Sequence, residues 1–175
     1  MVIANEFSHI VKLSEIGGNG HVRLSASEEA RAALAKRFDL ALLDMLEADL
    51  TLRQGAKGIE ASGRMSAELA QICVASGEPL PVMLDEPIHI RFIPEPHLAA
   101  DSETELESQD CDTMFHDGQS IDLGEAVAQS LGLALDPYPR SAEAEQILKA
   151  AGVKSEDEAA PMGALSSLKD LLAKK

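Results

Sequence analysis

The sequence predicts an α+β fold: a curled antiparallel β-sheet of about four or five strands, with an N-terminal helix and two or three C-terminal helices. Three observations support this prediction. Residues 46–53 and 59–69 alternate between apolar and polar side chains, which is typical of a sheet with one wet face. Residues 122–135 carry apolar side chains at helical spacing. The chain is 45% hydrophobic but has no Trp, one Tyr and four Phe, so the core must be aliphatic.

The N-terminal part predicts two short strands followed by a helix. Residues 7–13 alternate in polarity, residues 17–20 form a glycine-rich turn, and residues 21–24 fit a second strand. Ser25 and Glu28 have the spacing of a capping box, which predicts that a helix begins there. Its apolar stripe would be Ala30, Ala33, Leu34 and Phe38.

The central part predicts a long antiparallel hairpin and one further strand. Residues 54–58 are a glycine-bearing turn between the two alternating runs. Residues 82–92 form a third apolar run, in which Pro87 indicates an edge strand or a bulge.

The carboxyl-terminal half predicts an insertion and then helices. Residues 97–117 carry seven carboxylates and no Lys or Arg, so we expect a mobile acidic insertion. Asp122 and Glu125 fit a second capping box, and Leu123, Val127 and Leu131 should pack on the sheet. Residues 1–152 would form one domain, and residues 153–175 a linker and a short amphipathic helix containing Leu165, Leu168, Leu171 and Leu172.

Charge and composition restrict the classes of function. The net charge is −15, and residues 95–140 contribute most of it, with 11 acidic side chains and 1 basic one. A continuous basic surface for phosphates is therefore not expected. No apolar run is long enough for a membrane span, and the N-terminus does not resemble a signal peptide. Cys73 and Cys111 are the only cysteines, which favours the reduced cytoplasm and argues against a structural zinc site.

No set of residues predicts an active site, a cofactor or a small-molecule substrate. The nucleophile elbow, the phosphate loop and the dinucleotide fingerprint are all absent from the sequence. The acidic insertion matches calcium-loop spacing only loosely, and Cys111, His116 and Asp117 lack a second ligand pair. We therefore predict no catalytic residue and no metal site.

Four basic side chains on the predicted sheet form the candidate binding patch: Arg53, Lys57, Arg64 and Arg91. They would share one face of the sheet if the hairpin register is as expected. The favoured alternative is that they pair across strands with Glu47, Asp49, Glu60 and Glu68.

Two segments resemble a known family when they are taken together. The first is Cys73-Val74-Ala75-Ser76-Gly77-Glu78-Pro79, and the second runs from Asp117-Gly118 through Ile121-Asp122-Leu123-Gly124-Glu125 to Asp136-Pro137-Tyr138-Pro139-Arg140. Their order resembles the YceD-like family of bacterial and plastid proteins, and residues 162–169 resemble its alphaproteobacterial members. Ser76 stands where many members have a second Cys, which argues against a metal or redox role for that pair.

The resemblance implies a role in the accumulation of large-subunit ribosomal RNA and hence in ribosome assembly. It adds Asp117, Asp122, Glu125, Tyr138 and Arg140 to the candidate binding residues. We expect a non-enzymatic factor that binds a basic ribosomal protein or precursor RNA. Two alternatives stay open: a metal-dependent RNA hydrolase that uses the acidic insertion, and an interaction module that uses the terminal helix.

Overall fold

The computed structural model describes residues 5–16, 19–55, 58–95 and 112–154. Within these ranges, five strands form the main sheet in the order β2-β3-β4-β5-β6, with β2 and β6 at its edges. Neighbouring strands are antiparallel except β5 and β6, which are parallel. The strands are β2 (Asn19–Ser25), β3 (Leu42–Gly55), β4 (Gly58–Ile72), β5 (Pro79–Pro94) and β6 (Thr113–His116).

The predicted hairpin is confirmed and is longer than its alternating pattern. β3 and β4 pair from Leu42 opposite Ala70 to Gly55 opposite Gly58. The predicted apolar positions point into the core: Leu46, Leu50 and Leu52 are at most 1% exposed. Gly63 lies opposite Leu50, and a Cβ atom there would collide with the carbonyl oxygen of Asp49. The break in the apolar pattern of β4 thus marks a place where two backbones meet closely.

In the described part of the chain, three α-helices accompany the sheet: α1 (Glu28–Arg37), α2 (Leu123–Ala134) and α3 (Ala144–Ala150). α1 packs on β3, and α2 packs on β4 and β5. The predicted face of α2 is confirmed, because Leu123, Val127 and Leu131 are completely buried. The predicted cap of α1 is wrong by two residues. Ser27 accepts the hydrogen bond from the Ala30 amide, and Ser25 is the last residue of β2.

A small second sheet attaches the N-terminal segment to α2. β1 (Ile10–Lys12) pairs antiparallel with β7 (Ser120–Asp122), and a 3₁₀ turn follows at Leu13–Glu15. The Leu123 amide donates to the His9 carbonyl at 3.0 Å. The segment before α2 is thereby held against the N-terminal part of the chain.

The predicted boundary of the acidic insertion is wrong at its carboxyl end. Thr113–His116 form β6, which pairs with residues 91–94 of β5. The composition of residues 97–117 concealed this strand, because its four residues were grouped with the acidic side chains around them. The predictions for residues 97–111, Lys57 and the terminal helix in 155–175 lie outside the described residues.

Candidate functional site

The main sheet has one polar face, opposite the face that α1 and α2 cover. Alternate residues of each strand lie on this open face, since Arg23, Asp49, Arg64 and Pro87 occupy successive positions across β2 to β5. Most of these positions carry charged or hydroxyl side chains. The prediction of a polar, solvent-facing side of the sheet is therefore confirmed. This open face carries the basic residues that the sequence analysis named as a candidate binding patch.

Carboxylates hold two of the arginines on the open face. Asp49 accepts from Arg23 at 3.0 Å and contacts His21 Nε2 at 2.6 Å, and Arg23 and His21 lower its pKa. Arg64 binds Asp85, with 2.9 Å between Nε and Oδ1. This contact lowers the pKa of Asp85 and raises that of Arg64. Their positive charge is thus neutralised within the face.

The structure places Arg53, Arg64 and Arg91 on the same face, as predicted. Glu60 lies between Arg53 and Arg91 in the register of β3, β4 and β5. The expectation that the basic residues meet carboxylates across strands is correct for Arg64, although its partner is Asp85 rather than one of the four carboxylates named for it. The open face is a mixed-charge surface rather than a basic patch.

Asp117 and Asp122 serve local structure instead of an open binding site. Asp117 Oδ1 accepts from the amides of Gln119 and Ser120 at 2.8 and 3.0 Å, and these bonds lower its pKa. Asp122 caps α2 by accepting from the amides of Gly124 and Glu125. Both residues organise the backbone that leads into α2.

Asp122 also binds the N-terminal segment. Its carboxylate accepts from Asn5 Nδ2 at 2.9 Å, Ser8 Oγ at 2.8 Å and the His9 amide at 2.8 Å. Burial raises the pKa of Asp122, but the hydrogen bonds to the carboxylate together outweigh burial and leave the pKa below its usual value. Asp122 therefore joins the N-terminal segment, β7 and α2 through one carboxylate.

Glu125 does not complete the predicted capping box. Its carboxylate forms two 2.9 Å hydrogen bonds with the guanidinium of Arg37, which also binds Glu6 at 3.1 Å. The bond from Arg37 lowers the pKa of Glu125 against the effect of burial. The pair links α1 to α2, and nothing in the local sequence around Glu125 indicates a partner 88 positions away.

The two segments that resemble the family meet in space. The Val74 amide donates to the Pro139 carbonyl at 2.9 Å, and the Ser141 amide donates to Cys73 Sγ at 3.4 Å. Hydrogen bonds from Ser76 and Ser141 lower the pKa of the Cys73 thiol to about 6. Only 1% of Cys73 is exposed, so this junction encloses the thiol and holds residues 136–140, the proline turn, against the end of β4.

The remaining candidate residues of the proline turn are open to solvent. Tyr138 is 71% exposed, and its amide donates to the Asp136 carboxylate. Arg140 is exposed and borders a hollow beside β5. Both remain available for contact with a partner, in contrast to Asp122 and Glu125.

Sequence reasoning missed a groove between α2 and β5. Leu133 borders it with 85% of its surface exposed, and the buried side chains of Ile88 and Ile90 form its floor. The hollow measures about 500 Å³. Leu133 falls outside the apolar stripe of α2, and an apolar residue on the polar side of a helix was the only signal for this site.

Two kinds of site were not found in the residues that the structure describes. No group of three His, Cys, Asp or Glu side chains there is arranged to hold a metal ion. None of the helices in that part of the chain has the length and the apolar character that crossing a bilayer requires.

Comparison with known proteins gives a match to one protein-family model. A family model described as "Large ribosomal RNA subunit accumulation protein YceD" matches residues 61–172. The match begins in β4 and includes the proline turn, α2 and the groove beside it. No match was found among curated proteins or among solved structures.

Proposed function

This chain belongs to the YceD family, and from that membership we propose that it is a non-enzymatic accessory factor for large-subunit ribosomal RNA accumulation. It would act in the cytoplasm during assembly of the large ribosomal subunit, in the manner of alphaproteobacterial members. The observation that carries the proposal is the family match over residues 61–172. It covers most of the sheet and both segments on which the resemblance was recognised.

The charge distribution favours a basic ribosomal protein as the direct partner. The chain has a net charge of −15, so a Lys- and Arg-rich polypeptide would be attracted over a distance and oriented on approach. RNA would instead need cations that face solvent without partners. On the open face, Arg23 and Arg64 already bind carboxylates.

Precursor RNA remains the second candidate partner, because four arginines lie on the open face. Arg53 and Arg91 lie on either side of Glu60, and Arg53 is exposed. If RNA is the partner, replacing Arg53 with Ala should weaken binding of single-stranded RNA and reduce its dependence on salt. Unchanged RNA binding would remove the open face from consideration.

A metal-dependent RNA hydrolase is the enzymatic alternative, and the described carboxylates give it little support. Asp117 already accepts two backbone hydrogen bonds through Oδ1. Incubation of the purified chain with labelled precursor RNA and Mg²⁺ or Mn²⁺ tests this alternative. We expect the RNA to stay intact. Cleavage that requires the metal, and that an Asp112→Asn variant lacks, would contradict the non-enzymatic proposal.

The proposed role is tested by removing the protein from cells. We expect the ratio of large-subunit to small-subunit ribosomal RNA to fall when the gene is deleted, and to recover when the wild-type chain is supplied from a plasmid. An unchanged ratio in deleted cells, under conditions in which the protein is normally abundant, would overturn the proposal.

A further inference from the structure

The groove between α2 and β5 exposes an apolar side chain beside a buried apolar floor. Leu133, in the last turn of α2, is 85% exposed, whereas Ile88 and Ile90 beneath it are 4% and 8% exposed. A smaller hollow beside the groove shares Ile90, Asp112, Ser130 and Leu133 with it. An incoming apolar side chain would therefore contact Leu133 and the floor together, as anchor residues do in protein interfaces.

The rim of this groove is negative. Glu86 and Asp112 line it, and both side chains are exposed to solvent. Glu86 also acts electrostatically on Arg64. The groove also lies at the carboxyl end of α2, where the helix dipole is negative and the last turn has no basic residue. No Lys or Arg occurs between Arg91 and Arg140 in the sequence.

We propose that the groove between α2 and β5 binds a segment of a basic polypeptide in which apolar residues alternate with Lys or Arg. The apolar side chains would pack on Leu133 and the isoleucine floor. The basic side chains would meet Glu86, Asp112 and the carbonyl end of α2. This inference rests on the proposed function, because it identifies where a basic ribosomal protein would be held.

Three other occupants fit this chemistry less well. RNA would bring phosphates to a negative rim. A second copy of this strongly acidic chain would bring further negative charge to the same place. A neutral apolar peptide would gain no electrostatic attraction from Glu86 and Asp112. These occupants are separate outcomes of the binding test.

The test measures binding of short fluorescein-labelled probes to the full chain by fluorescence anisotropy. The probes are a peptide of alternating lysine and leucine, one of alternating lysine and serine, one of alternating serine and leucine, and a single-stranded RNA. We expect the lysine–leucine peptide to bind most tightly. A preference for either of the other peptides or for the RNA would overturn the proposal.

A substitution at Leu133 distinguishes binding in the groove from nonspecific binding to exposed apolar side chains. Leu133→Gln should weaken binding of the lysine–leucine peptide about ten-fold, which corresponds to about 1.4 kcal/mol. Met83→Gln is the matched control, because Met83 is 81% exposed and lies on β5 outside the groove. It should change the affinity by less than about two-fold. Both variants alter exposed side chains, so neither should unfold the protein. Equal effects of the two variants would overturn the proposal.

A change at the rim tests the charge argument. Glu86→Lys combined with Asp112→Lys should weaken binding of the lysine–leucine peptide about ten-fold and reduce the salt dependence of that binding. The control is Asp44→Lys combined with Glu78→Lys, which changes the net charge equally at exposed positions elsewhere. If both double variants weaken binding alike, overall charge and not the groove attracts the peptide, and the proposal fails.

Self-association is measured in the same samples by analytical ultracentrifugation. We expect the chain to keep one sedimentation coefficient over the concentrations used. A dimer that Leu133→Gln abolishes would assign the groove to a second copy and overturn the proposal. Failure in these binding tests would leave the proposed function standing, because the fall in ribosomal RNA after gene deletion is measured without reference to the groove.

Discussion

Replacement of Asp122 by Ala tests whether this carboxylate is a structural joint. The change removes the side-chain cap of α2 and three hydrogen bonds to the N-terminal segment. Loss of an N-cap costs about 1 kcal/mol, and a hydrogen bond to a charged group contributes about 1.5 to 3 kcal/mol. All three of these bonds are exposed, so water replaces part of each, and together they are counted as one hydrogen bond to a charged group. We therefore expect the free energy of unfolding to fall by about 2.5 to 4 kcal/mol.

The assay is urea unfolding at neutral pH, followed by circular dichroism. Asp122→Asn should lower the free energy of unfolding less than Asp122→Ala does, because the side-chain amide oxygen of Asn can still accept hydrogen bonds from backbone amides. Asp117→Ala is the comparison, since Asp117 supports only its own turn. If Asp122→Ala unfolds within about 0.5 kcal/mol of the wild type, the joint contributes little and the reasoning is refuted.

The same variant predicts a dependence on pH. The folded pKa of Asp122 lies below its usual value, so its ionised form stabilises the fold fully above the unfolded pKa of about 4. This stabilisation is lost as the pH falls through the folded pKa. The difference between wild type and Asp122→Ala should therefore be constant near neutral pH and shrink below about pH 4. A difference that grows on acidification would contradict this explanation.

Two further changes test the contacts that hold the sheet and the helices. Gly63→Ala should lower the free energy of unfolding by about 3 kcal/mol, because the added Cβ would press on the Asp49 carbonyl. Gly20→Ala should lower it much less in the same urea assay, because the nearest atom to a Cβ added there lies at 3.8 Å. Arg37→Met should cost about 2 kcal/mol, because it leaves the partly buried Glu125 without its ion-pair partner, and Arg37→Lys should recover only part of that loss. Equal stability of the two glycine variants, or of Arg37→Met and the wild type, would contradict these assignments.

Regular alternation and regular helical spacing made part of the fold predictable. The hairpin of β3 and β4 and the buried face of α2 follow from side-chain periodicity alone, because one face of each element must leave water. Pro87 was also informative. Among the described residues, β5 pairs with β4 alone at Pro87, since β6 pairs with β5 from Arg91 onward, and proline has no amide to donate on a second side.

The parts that could not be predicted depend on contacts between distant residues. β6 is four residues long and follows an acidic stretch, so its own sequence has too little periodicity to indicate a strand. Glu125 has the spacing of a capping box, but its carboxylate binds the guanidinium of Arg37 instead of a backbone amide at the start of α2. Charge-assisted pairs of this kind are set by the packing of α1 against α2, which a local pattern does not contain.

The candidate site was predictable only in its outline. The sequence placed Arg53, Arg64 and Arg91 on one face, but the partner of Arg64 depended on the register between β4 and β5. The groove beside Leu133 was not predicted, because its floor and Glu86 of its rim come from β5, Asp112 of its rim precedes β6, and its wall comes from α2. Such a site exists only after the helix has packed on the sheet.

The central claim is that this family member promotes the accumulation of large-subunit ribosomal RNA by binding a basic protein in the groove beside Leu133. The most direct measurement is the ratio of large-subunit to small-subunit ribosomal RNA in deleted cells that express Leu133→Gln or Met83→Gln at wild-type abundance. We expect Met83→Gln to restore the ratio and Leu133→Gln to leave it low. Full restoration by Leu133→Gln would contradict the claim.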